Sequence, residues 1–213
     1  MKGYFVTGTG TGVGKTFVTC ALARCARAMG KRVFAFKPVE TGCSRVAGRL
    51  VGSDQELVCE AAGNWQTHEL RGLYQFEPPV APWVAAEQRG VEIDLAAIRR
   101  TVEAGGAGAD LVLVEGAGGW RVPITATTDM AELARQLGFA VIVVGQATLG
   151  TINHSLLSVE AIERDGGSIA ALVLSRLPGD DEPHVIDNAR RIASRWQGQV
   201  IVCSTDRDVA GLA

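Results

Sequence analysis

Between residues 8 and 16 the chain reads Gly-Thr-Gly-Thr-Gly-Val-Gly-Lys-Thr, directly after the apolar run Tyr4–Thr7 and directly before a segment of helical character, residues 17–23. A strand, a glycine-rich turn and a helix that opens at Gly-Lys-Thr form the context that a phosphate-binding P-loop requires. Glycines let backbone N–H groups turn toward phosphate oxygens, and the helix N-terminus adds a favourable dipole. We expect Lys15 to neutralise the β- and γ-phosphates of a nucleoside triphosphate and the Thr16 hydroxyl to bind Mg²⁺. The loop is one residue longer than the usual form, because its first glycine is Gly8 and not residue 9.

Short β-branched or aromatic runs alternate with longer amphipathic segments along the rest of the chain. This pattern predicts strands at Tyr4–Thr7, Arg32–Phe36, Asp110–Val114, Ala140–Val144, Ser168–Leu174 and Gln199–Val202. It predicts helices at about Lys15–Met29, Ser53–Ala62, Asp94–Ala104, Asp129–Leu137, Thr151–Arg164 and Glu182–Trp196. Such alternation is typical of an α/β fold with a mostly parallel central sheet, and together with the loop it predicts a three-layer P-loop NTPase-like architecture in which helices flank the sheet.

The composition excludes several classes of protein. The 213 residues, of which 47% are hydrophobic, are expected to form one domain over residues 1–213. A net charge of −2 provides no broad electropositive field, so general nucleic-acid binding and attachment to anionic membranes are disfavoured. No run approaches the roughly 20 apolar residues of a membrane span, and no secretory signal is present, so we expect a cytoplasmic protein. The five cysteines and three histidines are scattered without a C-x-x-C pair, which argues against a zinc site or a disulfide framework.

Two carboxylates are candidates to complete the metal shell of a P-loop. Glu115 follows the apolar strand 110–114 and precedes the small residues 116–119, where backbone can lie close to a ligand. Asp54 is the weaker candidate, since aspartate is ordinary in the first turn of a helix, where it caps backbone N–H groups. From the local sequence alone, capping is at least as good an interpretation of Asp54 as metal binding.

The second predicted strand ends in Phe-Lys-Pro-Val-Glu-Thr-Gly, residues 36–42. A lysine at the ligand-binding edge of an α/β sheet is well placed to contact a second anion beside the phosphates. A solvated loop lysine is an equal alternative for Lys37 from the local sequence. The least regular stretch, Asn64–Arg89, contains three prolines and is interpreted either as a loop over a substrate site or as a structural excursion.

These segments together resemble the dethiobiotin synthetase family, the ATP-dependent carboxylases of biotin biosynthesis. The matching pieces keep their order along the chain to about residue 175 and are residues 4–16, 37–42, 53–54, 113–119 and 149–154. The resemblance implies that 7,8-diaminopelargonate, CO₂ and MgATP are converted to dethiobiotin, ADP and phosphate. The implied route passes through a carbamate and a carbamic–phosphoric anhydride.

The resemblance also implies roles for individual residues. The catalytic residues would be Lys37, Lys15 and Thr11, and the Mg²⁺ ligands would be Thr16, Asp54 and Glu115. The nucleotide would be bound by Gly12, Val13, Gly14, Lys15, Thr16, Phe17, Asp54, Glu115, Gly116, Ala117, Gly118, Ser175 and Arg176. Thr41 would contact the substrate. The carboxylate of the substrate would be bound by Thr151, Ile152 and Asn153 of the neighbouring subunit, which implies a homodimer.

Some positions depart from the family pattern, and they bear on the alternatives. Ser175 stands where many members have an asparagine that reads adenine, so we predict a relaxed preference for the nucleotide base. One alternative is a partner-regulated P-loop ATPase switch of the partition or septum-site type, which carries a second loop lysine where this chain has Gly10. Another is a non-catalytic, synthetase-like regulatory domain, against which the retained lysines, carboxylates and Thr16 argue.

Overall fold

A computed structural model describes residues 2–176 and 182–213. The ten strands found there are β1 (Lys2–Gly8), β2 (Val33–Phe36), β3 (Val39–Thr41), β4 (Ser44–Val46), β5 (Arg49–Val51), β6 (Tyr74–Phe76), β7 (Leu111–Gly119), β8 (Ala140–Gln146), β9 (Ile169–Ser175) and β10 (Val200–Cys203). The seven α-helices there are α1 (Lys15–Ala28), α2 (Ser53–Ala61), α3 (Pro82–Arg89), α4 (Leu95–Gly106), α5 (Met130–Leu137), α6 (Thr151–Arg164) and α7 (Glu182–Ala193). Short 3-10 helices occupy His68–Arg71 and Asp206–Val209.

Six strands form the central sheet in the order β10-β9-β8-β1-β7-β2, and every neighbouring pair is parallel. Its two faces are covered by different helices. Val18 and Leu22 of α1 and Val58 of α2 pack on one face, while α4, α5, α6 and α7 contribute to the cluster on the other. The predicted α/β architecture with a parallel sheet between two helical layers is therefore confirmed.

All six predicted strands and all six predicted helices are present, and apart from the end of β7 their ends shift by at most three residues. The main difference among the strands is at β7, which continues beyond Val114 to Gly119. Glu115 therefore lies inside the strand and does not follow it. The irregular stretch 64–89 contains strand β6 and helix α3, neither of which its sequence pattern predicts.

Smaller elements stand outside the main sheet beside its β2 edge. Strands β3 and β6 pair in parallel, and β4 and β5 form an exposed antiparallel hairpin that turns at Ala47 and Gly48. No helix in the described parts of the chain has both the length and the apolar character that a bilayer crossing needs.

The parallel sheet determines where ligands can bind. Because its strands all point the same way, the segments that follow them meet at one edge, the carboxyl edge. The loop after β1, Lys37 after β2, the end of β7 and the loop between β8 and α6 all lie there.

Candidate active site at the carboxyl edge of the sheet

The glycine-rich loop joins β1 to α1 and leaves the start of the helix open. Gly14 is the N-cap residue with φ of +93°, no side chain caps α1, and its first turn contains no acidic residue. Its free N–H groups and dipole therefore favour an anion at this position. Lys15 is buried and donates a hydrogen bond from Nζ to the Gly10 carbonyl at 2.9 Å. Burial lowers the pKa of Lys15 to about 8, although the negative charge of Glu115 opposes this shift.

A buried polar cluster lies beside the loop. The Thr16 hydroxyl donates to Glu115 Oε1 at 2.8 Å, and Lys37 Nζ donates to the same oxygen at 3.0 Å. Lys37 Nζ also donates to Asp54 Oδ2, so one ammonium connects two carboxylates. Burial disfavours the charged form of Lys37, but the carboxylates of Glu115 and Asp54 outweigh that effect and raise its pKa above the usual value. Lys37 is therefore a buried, paired cation, and the solvated-lysine alternative is wrong.

The oxygen atoms of this cluster suit a magnesium ion. Glu115 is fully buried, and its Oε2 has no hydrogen-bond partner among the described residues. The Asp54 side chain is 36% exposed and lines the adjoining pocket, as does Thr16. No group of three His, Cys, Asp or Glu side chains that could hold a metal occurs among the described residues. Two carboxylates and a hydroxyl still fit Mg²⁺, which usually keeps several waters and binds one or two carboxylates together with substrate phosphates.

A pocket of about 530 Å³ opens over these groups. Most of the proposed site residues line it, namely Thr11, Gly12, Gly14, Lys15, Thr16, Lys37, Thr41, Asp54, Glu115, Ala117 and Gly118. Residues 79–82, from the irregular stretch, form another wall. A volume of this size is in the range of small-molecule sites, and its floor carries both positive and negative groups.

Several proposed residues do not line this pocket. Val13 and Phe17 are in the loop and α1, and the Gly116 position faces the ring of Phe5, where an added Cβ would lie 2.9 Å from the ring. Ser175 is fully buried behind the loop, where a Cβ on Gly14 would lie 2.3 Å from Ser175 Oγ. Arg176, half-buried, follows it at the end of β9.

The segment proposed to bind the substrate carboxylate, residues 151–153, is the first turn of α6 and is also absent from the pocket lining. Thr151 is buried with its hydroxyl unpartnered, whereas Asn153 is exposed. Leu149, just before the helix, is fully exposed. A role for this turn in substrate binding requires a second copy of the chain, so it stays a prediction.

Sequence reasoning missed Glu40. This carboxylate is buried, and its two oxygens accept hydrogen bonds from the backbone N–H groups of Asp54 and Gln55, each at 2.9 Å. It therefore caps α2 from a strand 14 residues away. The only sign of this residue in the sequence is its place within the motif of residues 37–42, where no role was predicted for it.

A second cavity of about 470 Å³ lies near the amino ends of β8 and β9. Its wall carries Arg121, which pairs with Asp129 and Asp165, and Arg135, which pairs with Glu132. Because these charges satisfy one another, the cavity offers less for a charged substrate than the pocket over the P-loop.

Comparison with known proteins places the chain among P-loop proteins. The family described as "AAA domain" matches residues 2–207. An ATP-dependent dethiobiotin synthetase BioD of Anaeromyxobacter dehalogenans (strain 2CP-C) is 48% identical over 193 residues, which cover 91% of this chain and 85% of that protein. Proteins of the same name from Aromatoleum aromaticum and Pseudomonas paraeruginosa are 42% and 41% identical, covering 83% and 81% of this chain and 78% and 76% of theirs.

Solved structures show the same fold at low sequence identity. The MinC:MinD cell division protein complex of Aquifex aeolicus aligns with a TM-score of 0.57 and 13% identity, covering the whole of this chain and 84% of the matched one. The signal recognition particle receptor FtsY of Elizabethkingia anophelis aligns with a TM-score of 0.52 and 16% identity, covering 97% of this chain and 60% of that one. These likenesses support the architecture alone.

Proposed function

The chain belongs to the ATP-dependent dethiobiotin synthetase family of ligases, and on that premise we propose that its pocket carboxylates and cyclises 7,8-diaminopelargonate with CO₂ and ATP. One substrate amine captures CO₂ as a carbamate, and a carbamate oxygen attacks the γ-phosphate to give a carbamic–phosphoric anhydride and ADP. The second amine then attacks the carbonyl carbon, closes the ureido ring and expels phosphate. One observation carries this proposal: a single pocket contains both the P-loop, with the open start of α1, and a hydrogen-bonded cluster beside it. The members of that cluster are Lys37, Thr16, Asp54 and Glu115.

The reaction must bring two anions together. A carbamate and a terminal phosphate at about 4 Å repel each other by about 4 kcal/mol at an effective dielectric constant of about 20. Lys15 and Lys37 line the same pocket, and Lys37 keeps its charge because two carboxylates hold it. We assign Lys15 to the phosphates and Lys37 to the carbamate and the transferring phosphoryl group, where a fixed ammonium stabilises charge as it develops. Thr11, also in the lining, would add a hydroxyl near the same oxygens.

The nucleotide and its metal would occupy the loop side of the pocket. Backbone N–H groups of residues 12–17 would bind the phosphates, and Thr16, Asp54 and Glu115 would hold Mg²⁺. When bound, Mg²⁺ supplies positive charge to the β- and γ-phosphates. The unpartnered Oε2 of Glu115 supports this assignment, because a buried carboxylate oxygen without a partner is costly.

We further propose that the enzyme acts as a homodimer. The first turn of α6, Thr151-Ile152-Asn153, does not line its own chain's pocket. Pairing two chains so that this turn meets the neighbour's pocket would bring an uncapped helix N-terminus to the substrate carboxylate. The fully exposed Leu149 beside it would then be covered.

The decisive experiment mixes the protein with diaminopelargonate, bicarbonate and MgATP. We expect phosphate release that depends on diaminopelargonate, and a product with the mass of dethiobiotin. Phosphate release that is independent of diaminopelargonate, or no dethiobiotin, would refute the proposal. Against the ATPase-switch alternative stand Gly10, where that group carries a second loop lysine, and the identity of up to 48% to the synthetase relatives.

A further inference from the structure

Helix α2 begins without a cap of its own. Its N-cap residue, Gly52, offers no side chain, and the first turn holds the acidic residues Asp54 and Glu56. An aspartate carboxylate in such a turn is attracted by the free backbone N–H groups and can accept hydrogen bonds from them. In this chain Asp54 instead pairs with Lys37, and the N–H groups of Asp54 and Gln55 are bound by Glu40 of β3.

The fit between Glu40 and the helix is close. A Cβ placed on Gly52 would lie 2.2 Å from Glu40 Oε2, so the absence of a side chain at residue 52 lets the carboxylate reach the helix end. Gly52 has an ordinary φ of −84°, so space for Glu40, and not backbone conformation, explains the glycine.

A second contact joins the same two segments. The Gln55 side chain is fully buried, and its Oε1 accepts a hydrogen bond from the backbone N–H of Lys37 at 2.6 Å. Gln55 Nε2 in turn donates to Cys59 Sγ at 2.8 Å. Both ends of the segment 37–40 are thus hydrogen-bonded to the first turn of α2. The Lys37–Asp54 ion pair lies between these two sets of hydrogen bonds.

We propose that Glu40 is a positioning residue: by capping α2 in place of Asp54, it frees the Asp54 carboxylate for Lys37 and for the metal ion. The metal role of Asp54 rests on the function proposed above. Each carboxylate oxygen that accepts N–H groups of its own helix has fewer lone pairs and less freedom to turn toward a metal, so an external cap reduces the competition between the two roles. Outer partners of this kind are typically worth 10–100-fold in metal affinity.

Two variants test the arrangement from opposite sides. Glu40→Gln keeps the length of the side chain but turns an N–H₂ group toward one of the two backbone donors. Gly52→Ala keeps Glu40 and pushes its carboxylate away from the helix. The matched control is Asp94→Asn, which alters the carboxylate that caps α4 through the Ala96 N–H and lies outside the pocket lining.

The main readout is Mn²⁺ affinity of the ADP-bound enzyme, measured by electron paramagnetic resonance, with ADP affinity in EDTA and urea unfolding measured in parallel. We expect Glu40→Gln and Gly52→Ala each to weaken Mn²⁺ binding by about tenfold or more. ADP affinity in EDTA should change by less than about threefold, and Asp94→Asn should leave both affinities unchanged.

An Asp54→Asn variant separates this proposal from the proposed function. If Asp54→Asn removes Mn²⁺ binding but Glu40→Gln and Gly52→Ala merely lower stability, as the control does, then Glu40 is an ordinary helix cap and the proposal is wrong. If Mn²⁺ binding does not depend on Asp54, the metal assignment itself fails, and the positioning role fails with it.

Discussion

Lys37→Met is the perturbation that most directly tests the electrostatics of the pocket. The substitution keeps an unbranched chain of similar length but removes the ammonium that hydrogen-bonds to Glu115 Oε1 and Asp54 Oδ2. Within the part of the chain that the structure describes, the fully buried Glu115 would keep only the Thr16 hydroxyl as a hydrogen-bond partner. Removing one partner of a buried ion pair costs about 3–5 kcal/mol, because the other charge is left uncompensated.

We therefore expect Lys37→Met to lower the free energy of urea unfolding by about 3–5 kcal/mol in EDTA. Saturating Mg²⁺ should recover part of this loss, because the ion binds the folded state at the same carboxylates. Turnover should fall by at least about 10²–10³-fold, the usual cost of losing one group that stabilises developing charge. Nucleotide affinity should change little, since Lys15 and the loop remain.

Arg24→Ala is the control for this experiment. It breaks a two-pronged ion pair with Asp206, at 2.6 Å for both contacts, but in a solvent-exposed setting. Exposed pairs are worth at most about 1 kcal/mol. If Lys37→Met costs no more than this control, the buried-charge reasoning is refuted. If nucleotide affinity falls in step with turnover, Lys37 anchors the nucleotide and has no separate role.

Three further outcomes are expected. Gly14→Ala should weaken nucleotide binding at least tenfold in calorimetry, because its Cβ would lie 2.3 Å from Ser175 Oγ and because residue 14 has a φ of +93°, which strains alanine. Adding Ser175→Gly should restore only part of the nucleotide affinity, since the positive φ remains. Ser175 is fully buried and so does not present its hydroxyl to a nucleotide base. The values of kcat/KM for CTP and GTP should therefore lie within about tenfold of the value for ATP, whereas a residue that hydrogen-bonds to the base would discriminate by about 10⁴-fold. A hundredfold advantage of ATP would contradict this. When Lys37→Met and Asn153→Ala chains are refolded together in equal amounts, about half of the dimers contain one chain of each kind, and such a dimer has one intact site out of two. We therefore expect about a quarter of wild-type activity. No recovery of activity would contradict a site shared between subunits.

The fold was largely predictable from the sequence because its decisive signals are local. Strands covered on both faces must be apolar throughout, as residues 111–114 and 141–144 are, and the loop after β1 fixes which end of the sheet binds phosphate. The elements that were missed are the short strands β3, β4 and β5, and also β6 and α3, which lie in the proline-containing stretch 64–89. Helix α3 begins at Pro82, where proline is tolerated at the first helical position, but the neighbouring prolines obscured that start.

The site was only partly predictable, for a different physical reason. The P-loop is a contiguous motif, so Lys15 and Thr16 could be assigned from spacing alone. Lys37 and Asp54 could not, because each has an ordinary local interpretation and the contact between them is not visible in the sequence. The start of α2, which carries Asp54, is held by Glu40 through hydrogen bonds that span 14 and 15 residues of the chain. Hydrogen bonds between distant segments produce no periodic pattern in a sequence, so they could not be predicted from it.

The N-termini of the helices at the carboxyl edge divide into open and closed ends, and the division agrees with the proposed ligands. Helices α4 and α5 are closed, because the carboxylates of Asp94 and Asp129 accept the N–H groups of Ala96 and Glu132, and α2 is closed by Glu40. Helices α1 and α6 instead begin after Gly14 and Gly150, without a side-chain cap and without an acid in the first turn. Helix α3 also lacks a side-chain cap and an acid, but it begins at Pro82, which has no backbone N–H to offer. An acid at the N-cap satisfies the donors that an anion would need and repels it, whereas glycine leaves them available. The two ends that follow a glycine therefore suit the two anions of the proposed reaction, the triphosphate at α1 and the substrate carboxylate at the partner's α6.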